Sequence, residues 1–543
     1  MNLQPEIIKL LNRKGITSEK DIEEFFSDKP QKTYDPFLLL NMEAGVDLVL
    51  SAIENDEEIC IFGDYDTDGI TSTSVLLDVL SHLTHKLSYH LPSRFKEGYG
   101  LNCPALKEIK DRGVGLVITV DCGSTSIKEV EYANEIGLKI LVTDHHTVGE
   151  VKPDCLLINP KQKDCPYPFK ELAGVGVAFK LAQAIAAETG LPKSVINRTL
   201  DLVGIGTIGD IVPLVDENRT LAKYGLRTVH VGNRLGLNML IEGTGLKKEN
   251  VNSGNVSFVI VPHLNAAGRL EDASYGVELL RAADRETAEP LVTKLIELNN
   301  RRKSLQEETF VECKELIAEK YSHDPFILVE LQKAHEGITG IVAGKIKEEF
   351  YQPAVIVTPV GDGLYKGTGR SVEGLNLYNM LNENANLFEK FGGHKAACGF
   401  TIKKENIDTL RDNLNNSLRM MADENPEILQ EHIEADILTE LNRINLDLVH
   451  AIEKFEPFGC ENPRPRIGFK GTCTFVRNIG KEGQYRKFTI RDGGAQVYSV
   501  LFKSVDKYDQ SLRDNRIHQF TGELEENLYE GRTYLNFRVD KVE

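Results

Sequence analysis

Carboxylates and imidazoles recur at equivalent places in the first 211 residues. After the apolar run CIFG (60–63) come Asp64, Asp66 and Asp68, in GDYDTDGIT. After GLVITV (115–120) comes Asp121, in DCGS, and after KILVT (139–143) come Asp144, His145 and His146. A fourth segment, GIGTIGDIVPL, sets Asp210 in a glycine-rich turn. A single Asp after a strand is commonly a helix cap, and a single Asp-His-His triplet is commonly a turn. Four clusters at like positions point instead to a shared centre. So many carboxylates together repel one another unless cations neutralise them. Mixed Asp and His ligands without thiolate suit Mn²⁺ or Mg²⁺ better than structural zinc. Several Asp about one centre suit two ions about 3.5–4 Å apart, a geometry that hydrolyses phosphoesters.

These residues need a scaffold. The runs EEICIFG (57–63), GLVITV, KILVT and CLLIN (155–159) alternate with amphipathic stretches such as SVLLDVLSHL. That alternation predicts a parallel sheet with helices on both faces, within a domain spanning 46–283. In such a sheet, ligands bind beyond the carboxyl ends of the strands, where these clusters fall. Residues 1–45 read as a helical cap, with Ser18 and Asp21 fitting a capping box that has Asp in the Glu place. Residues 284–320 lack Gly and hold one Pro. The segment 284–324 therefore reads as a long helix joining two lobes. FILVE (326–330) and AVIVT (354–358) mark a second, smaller α/β lobe over 325–425. In the last domain, 430–543, short alternating runs such as RKFTIRD and QVYSVLF suit a small β-barrel.

Composition narrows the function classes. The 543 residues are 41% apolar and 27% charged, a globular balance. No apolar run of about 18 residues is present, which excludes a membrane-spanning helix. The N-terminus lacks a secretory pattern. The nine cysteines sit singly, which fits reduced thiols in a cytoplasmic protein. The net charge of −18 argues against a protein that coats nucleic acid. A polyanion could be met only by a local patch or through bound cations. Residues 455–543 are the exception, with 15 basic against 13 acidic residues and 13 of the 39 Phe and Tyr. Aromatics among basic residues can form a stacking platform for single strands, with Lys481, Arg486, Lys487 and Arg491 the best basic candidates. A small barrel also needs about half its aromatics in its core.

GDYDTDG, VDCGS, TDHH and GIGTIGDIVPL together resemble the four motifs of the DHH phosphoesterase superfamily. GTGRS (367–371) and FGGHKAACGF (391–400) resemble its associated DHHA1 lobe. PSRFKEGYGLN (92–102), PHLNAAGRL (262–270) and the aromatic C-terminal domain resemble the branch of bacterial exonucleases that act on single-stranded DNA. The resemblance spans nearly the whole chain. It implies two α/β lobes joined by a long helix, with a C-terminal OB-type barrel. It implies hydrolysis of single-stranded DNA 5′→3′ to mononucleotides in recombination and repair, with two Mn²⁺ or Mg²⁺ ions lowering the pKa of the attacking water.

By the same resemblance Asp64, Asp66, Asp68, Asp121, His145 and Asp210 hold the ions, with Asp121 as the bridge. The division of labour among the three Asp of the first motif stays open, one of them being able to orient the others. Asp144 would orient His145, and His146 would face the scissile phosphate. Arg94, Arg269 and Arg370 would clamp the terminal 5′-phosphate and the phosphates after it, helped by Ser371 and His394. Gly392 and Gly393 would let backbone approach the strand. Tyr99 would stack on a base, block a duplex, or pack its own turn. Single-stranded DNA is the expected partner, and a single-strand-binding protein and a helicase are the candidate protein partners. The enzyme is expected to be a monomer away from membranes. Two rivals stand beside this reading. One is a phosphoesterase of short oligonucleotides or cyclic dinucleotides, which would not need the barrel. The other is a non-catalytic DNA-binding scaffold, against which the intact acidic motifs argue.

Overall fold

The computed structural model describes residues 3–30, 32–529 and 532–543. The first lobe is built on five strands: β1 (Glu58–Phe62), β2 (Leu87–His90), β3 (Val114–Thr119), β4 (Lys139–Thr143) and β5 (Leu156–Ile158). They lie in the order β2-β1-β3-β4-β5, every pair parallel. Parallel neighbours need crossover connections. The helices Thr67–Leu80, Cys103–Asp111 and Ile127–Glu135 form the first three, and the segment 144–155 joins β4 to β5 without a helix. Burial on both faces explains the apolar runs. Ile59, Ile61, Leu116 and Ile118 enter one core, and Cys60, Phe62, Val117 and Val142 the other. β2, at the sheet edge, is only half-buried along its length, so its sequence carries no such run.

The helix Arg285–Leu316 comes next, opened by Asp284, whose side chain accepts the Thr287 N–H. Its 32 residues span roughly 48 Å at 1.5 Å per residue. It ends in a π-helical turn, Ile317–Tyr321. Leu295, Leu298, Phe310 and Cys313 along it share one continuous core with Ile338, Val342 and Ile356 of the second lobe. That lobe has a mixed sheet of β6 (Ile327–Glu330), β7 (Ala354–Gly361), β8 (Leu364–Arg370), β9 (Phe388–His394) and β10 (Ala397–Lys403), in the order β6-β7-β8-β10-β9.

The C-terminal domain comprises β11 (Ile437–Leu438), β12 (Arg466–Ile479), β13 (Tyr485–Asp492), β14 (Ala495–Leu501), β15 (Ile517–Tyr529) and β16 (Arg532–Val542). β12 pairs with both β13 and β15, which closes a five-stranded barrel around Phe469, Phe488, Phe520 and Phe537. Closure leaves none of those five strands with a free edge. Among the described residues no helix is long and apolar enough to cross a membrane.

The N-terminal segment is helical, and its first helix packs on the C-terminal domain. The helix Pro5–Arg13 buries Ile7, Leu10 and Leu11 in the same core as Leu448, Phe455 and the barrel phenylalanines. Glu6 accepts hydrogen bonds from Thr439 (2.9 Å) and Arg443 (3.3 Å). The boundary at residue 46 falls inside the helix Met42–Glu54, whose Met42, Val46 and Val49 pack on the first sheet. An amphipathic stretch declares which face must be buried, not which partner buries it. Ser18 caps the helix Glu19–Phe26 by accepting the Asp21 N–H.

Candidate metal centre and nucleic-acid cleft

The carboxyl ends of β1, β3 and β4 converge. Asp64 lies two residues beyond β1, Asp121 two beyond β3, and Asp144 directly after β4. Asp210 joins them from the end of the helix Leu200–Gly209. Potential ligand atoms gather in three overlapping groups: Asp64, Asp66 and Asp121; Asp121, Asp144, His145 and His146; and Asp68, His145 and Asp210. Asp121 and His145 each belong to two groups. Asp121 adopts a left-handed backbone, φ 60°, uncommon outside glycine but among the conformations Asp tolerates best.

His145 Nε2 lies 3.1 Å from Asp121 Oδ1, 3.5 Å from Asp210 Oδ2 and 3.9 Å from Asp68 Oδ2. Asp64 Oδ1, Asp121 Oδ1, His145 Nε2 and Asp210 Oδ2 are all buried without a hydrogen-bond partner. Burial, reinforced by mutual repulsion, pushes the carboxyls of Asp64, Asp121 and Asp210 well above their ordinary range. Burial, reinforced by the charge of His146, pulls His145 down to about 3, so its imidazole is neutral with a lone pair to give. Orphaned acceptors under this much mutual repulsion fit divalent cations, and the oxygen and nitrogen donor set fits Mn²⁺ or Mg²⁺.

The remaining acids have clearer local tasks. Asp66 accepts the N–H groups of Asp68 (3.0 Å) and Gly69 (3.2 Å) and so caps the helix Thr67–Leu80. Asp68 directs both oxygens at the first turn of the helix Gly174–Thr189, accepting from Gly174 N–H (2.7 Å) and Val175 N–H (2.8 Å). Burial, then the charge of Asp66, raises Asp68 to about 7 despite those bonds. Of the three Asp in the first motif, it is the one most committed to orienting its neighbours. A Cβ on Gly174 would meet the Asp121 carboxylate at 2.7 Å, so this close approach needs glycine.

Asp144 is saturated. It accepts from His145 N–H (2.7 Å), His146 N–H (3.1 Å), the His146 ring at Nδ1 (2.8 Å) and Ser124 N–H (2.9 Å). Burial opposes ionisation, but these bonds and the charge of His146 outweigh it and hold Asp144 well below the usual carboxylate range. Its ring partner is therefore His146, not the expected His145. Burial lowers His146, but the Asp144 bond and charge, with Asp68 and Asp66, outweigh it and raise the imidazole above its ordinary value. The Tyr99 hydroxyl donates to the Asp121 carbonyl (3.3 Å) and lies 3.3 Å from the His146 ring, which places Tyr99 over the centre.

The proposed phosphate clamps surround the same space. Arg94 stacks on Tyr65 at 4.1 Å, and its Nε is buried without an acceptor. Arg269 donates to the Gly337 carbonyl (3.2 Å), and Arg370 to the Gly369 carbonyl (2.9 Å). Burial, then repulsion from Arg94, lowers Arg269 to about 10. Among the described residues none of these arginines has a carboxylate in ion-pair contact. His394 is depressed first by burial, then by the charges of His146 and Arg370, so the second lobe's β9 faces the centre. Gly393 has φ 142°, and a Cβ there would lie 2.5 Å from the Ala397 carbonyl. Gly392 pairs with Gly399, and Ser371 donates to the Leu375 carbonyl.

Sequence reasoning missed several members. Arg302, on the long helix, repels Arg269 and is held by Asn299 and Gln306, each at 3.0 Å. Asn265 accepts from both Thr67 N–H (2.7 Å) and Thr67 Oγ1 (2.9 Å), tying the helix of Arg269 to that of the first motif. Phe95 meets His335 edge-on at 5.4 Å and bridges the two lobes. Asn265 and Phe95 stand inside family-like motifs, whereas Arg302 looks like any solvated helix charge.

The barrel residues lie apart from the centre. Lys481 and Lys487 are exposed, and Arg491 stacks on Phe475 at 5.2 Å. Arg486 is not a free phosphate ligand as expected: it donates to Asp509 (2.5 Å) and to the Gly483 carbonyl (2.8 Å). Among the described side chains, Phe475, Tyr498, Phe502 and Tyr534 are the large aromatics left exposed on this domain.

Comparison with known proteins agrees with this architecture. Residues 58–207 match the DHH family N-terminal domain, 323–420 the DHHA1 domain and 435–541 the RecJ OB domain. The single-stranded-DNA-specific exonuclease RecJ of Bacillus subtilis is 37% identical, over 98% of this chain and 67% of its own. Its Escherichia coli counterpart is 31% identical, over 99% of this chain and 96% of its own. The crystal structure of RecJ from Thermus thermophilus in complex with Mn²⁺ superimposes with a TM-score of 0.84 at 27% identity, covering 100% of this chain and 76% of that one. On sequence, domain order and fold together, the chain belongs to the RecJ family.

Proposed function

We propose that this chain is a metal-dependent exonuclease that hydrolyses single-stranded DNA from the 5′ end to mononucleotides, in DNA recombination and repair. The observation that carries the reading is the opposition of two unsatisfied sets. Four orphaned ligand atoms, on Asp64, Asp121, His145 and Asp210, gather within reach of Arg94 and Arg269, which have no carboxylate in ion-pair contact among the described residues. When bound, two Mn²⁺ or Mg²⁺ ions supply Lewis-acid activation of water and stabilise charge on the phosphate oxygens.

The chain's own residues do the rest. His146, whose Nδ1 is held by the Asp144 carboxylate, would turn its other ring nitrogen to a non-bridging oxygen of the scissile phosphate. Asp68 keeps the centre in register with the helix Gly174–Thr189. A terminal phosphate monoester carries about −1.5 to −2, more than an internal diester. Arg94, Arg269 and Arg370, aided by His394 and Ser371, therefore favour a phosphorylated 5′ end. The Phe95–His335 contact narrows the cleft and supports exclusion of duplex. The exposed barrel aromatics, with Lys481, Lys487 and Arg491, would hold the incoming strand by stacking and charge.

A substrate that must be single-stranded has first to be unwound, which supports a helicase and a single-strand-binding protein as companions. The nine unbridged cysteines support a reducing, cytoplasmic setting, and we assign the working form as a monomer. The test is a long single strand labelled at either end. Mononucleotide release from the 5′ label first, with Mn²⁺ and not with chelator, is expected. Release from the 3′ label first, or equal cutting of blunt duplex, would overturn the polarity or the strand selectivity.

A further inference from the structure

A second cavity, of about 740 Å³, opens where four pieces of chain meet. They are the helices Pro5–Arg13 and Glu19–Phe26, the helix Asp216–Val231 of the first lobe, and the segment 461–465 that leads into the barrel. None of the residues placed at the metal centre lines it.

Its floor is cationic. Arg219 and Lys223, one turn apart on the helix Asp216–Val231, present the same face. The Arg219 guanidinium lies on the Phe25 ring at 4.2 Å, and its Nη1 donates to the Phe455 carbonyl at 2.7 Å. Its Nη2 is buried and meets no acceptor. Lys223 donates to the Ser27 carbonyl at 2.7 Å. Lys14 enters from the end of the first helix. Neighbouring cations have carboxylate partners: Arg13 has Asp436, Lys32 has Asp216 and Arg227 has Asp28. Among the described residues Lys14, Arg219 and Lys223 have none in ion-pair contact. Burial first, then repulsion from Arg219, lowers both lysines, and burial lowers Arg219 itself. A buried guanidinium N–H without an acceptor is costly and uncommon. Carboxylates act on these three cations only at longer range, Asp436 on Lys14, Glu456 on Arg219 and Asp28 on Lys223, which leaves room for an anion in direct contact.

The shape limits which anion. Pockets of this size take organic ligands rather than bare inorganic ions. Leu10, Ile16 and Leu214 give the cavity an apolar wall. The five acids that line it, Asp21, Glu24, Asp216, Asp436 and Glu461, disfavour a long polyanion such as a DNA strand. We propose that this cavity binds a small phosphate-bearing organic anion of the nucleoside 5′-monophosphate class, its phosphate held by Arg219, Lys223 and Lys14.

Calorimetric titration of the full chain with thymidine 5′-monophosphate, in chelator, tests this. One saturable equivalent is expected. The double variant Lys14→Ala/Lys223→Ala should bind at least about tenfold more weakly, the loss expected from charge-assisted hydrogen bonds. Arg370→Ala, which alters the cleft alone, should bind as wild type does. Arg219→Gln should lose binding altogether, and circular dichroism checks that each variant is folded. Orthophosphate should compete weakly, and thymidine not at all. Wild-type affinity in the folded double variant would overturn the site. Loss of binding in Arg370→Ala would assign the nucleotide to the cleft instead, and equal affinity for thymidine would overturn the phosphate recognition.

Discussion

Replacing Asp144 by Asn should damage both stability and chemistry, in amounts the hydrogen bonds set. The wild-type carboxylate accepts four bonds, three at Oδ1 and one at Oδ2. An amide of the same shape keeps one carbonyl oxygen and turns an NH₂ group toward the Ser124 N–H. A buried donor left unpaired costs about 1–3 kcal/mol, and charge-assisted bonds reduced to neutral ones lose about 1 kcal/mol each. Allowing for non-additivity, the first lobe should lose roughly 4 kcal/mol. Denaturant unfolding of the metal-free chain, followed by circular dichroism, measures this.

A second readout is the His146 titration, seen by histidine-labelled NMR. With the Asp144 charge gone, burial dominates, and the imidazole should fall below its ordinary value instead of standing above it. The pH dependence has a definite sign. Asp144 is depressed in the folded chain, so its stabilisation is fully present above the unfolded value near pH 4 and is lost as the pH falls through the folded value. Asp144→Asn should therefore remove part of the acid-side slope of stability. Unchanged unfolding together with an unchanged His146 titration would refute the role given to this carboxylate.

Other outcomes rest on the same geometry. Arg370→Ala should shrink the preference for a 5′-phosphate over a 5′-hydroxyl by roughly ten- to a hundredfold, measured as relative cleavage rates of the two strands. Gly174→Ala should weaken Mn²⁺ binding and cleavage together, because its Cβ would press on Asp121 at 2.7 Å; unimpaired Mn²⁺ affinity in a titration would show that the Asp121 carboxylate can move without consequence. Phe475→Ala combined with Tyr498→Ala and Tyr534→Ala should weaken binding of long strands by about 1–3 kcal/mol per lost stacked base, while short oligonucleotides are still cut at a near-normal maximal rate. These substitutions are preferable to deleting the barrel, since deletion would strip Ile7, Leu10 and Leu11 of the core that buries them.

Much of the centre is legible in the sequence because parallel strands buried on both faces announce themselves as apolar runs. The residues just past the end of such a run sit at the ligand-binding edge of the sheet. That logic places Asp64, Asp121, Asp144 and His145 without coordinates. It cannot say that the Asp144 carboxylate bonds the His146 ring rather than that of His145, because both come directly after it in the chain. Nor can it separate Asp68 from Asp64, because the helix end that receives Asp68 lies more than a hundred residues away. β2 is hidden because a half-exposed edge strand lacks an apolar run. The packing of the N-terminal helix on the barrel domain is hidden because helical periodicity carries no address for its partner. Arg302 and Arg219 are invisible for a related reason: a helix arginine looks solvated until its surroundings are known.

Asp121, shared by two of the ligand groups at the meeting point of β1, β3 and β4, would be the common ligand of two ions. Calorimetric titration of the chelated full chain with Mn²⁺, paired with nuclease assays on the same samples, tests it most directly. Two Mn²⁺ per wild-type chain are expected, with loss of the two-ion signature in Asp121→Ala. Activity of that variant should fall by several orders of magnitude while circular dichroism is unchanged. Two tightly bound ions in folded Asp121→Ala, or full cleavage by it, would contradict the claim.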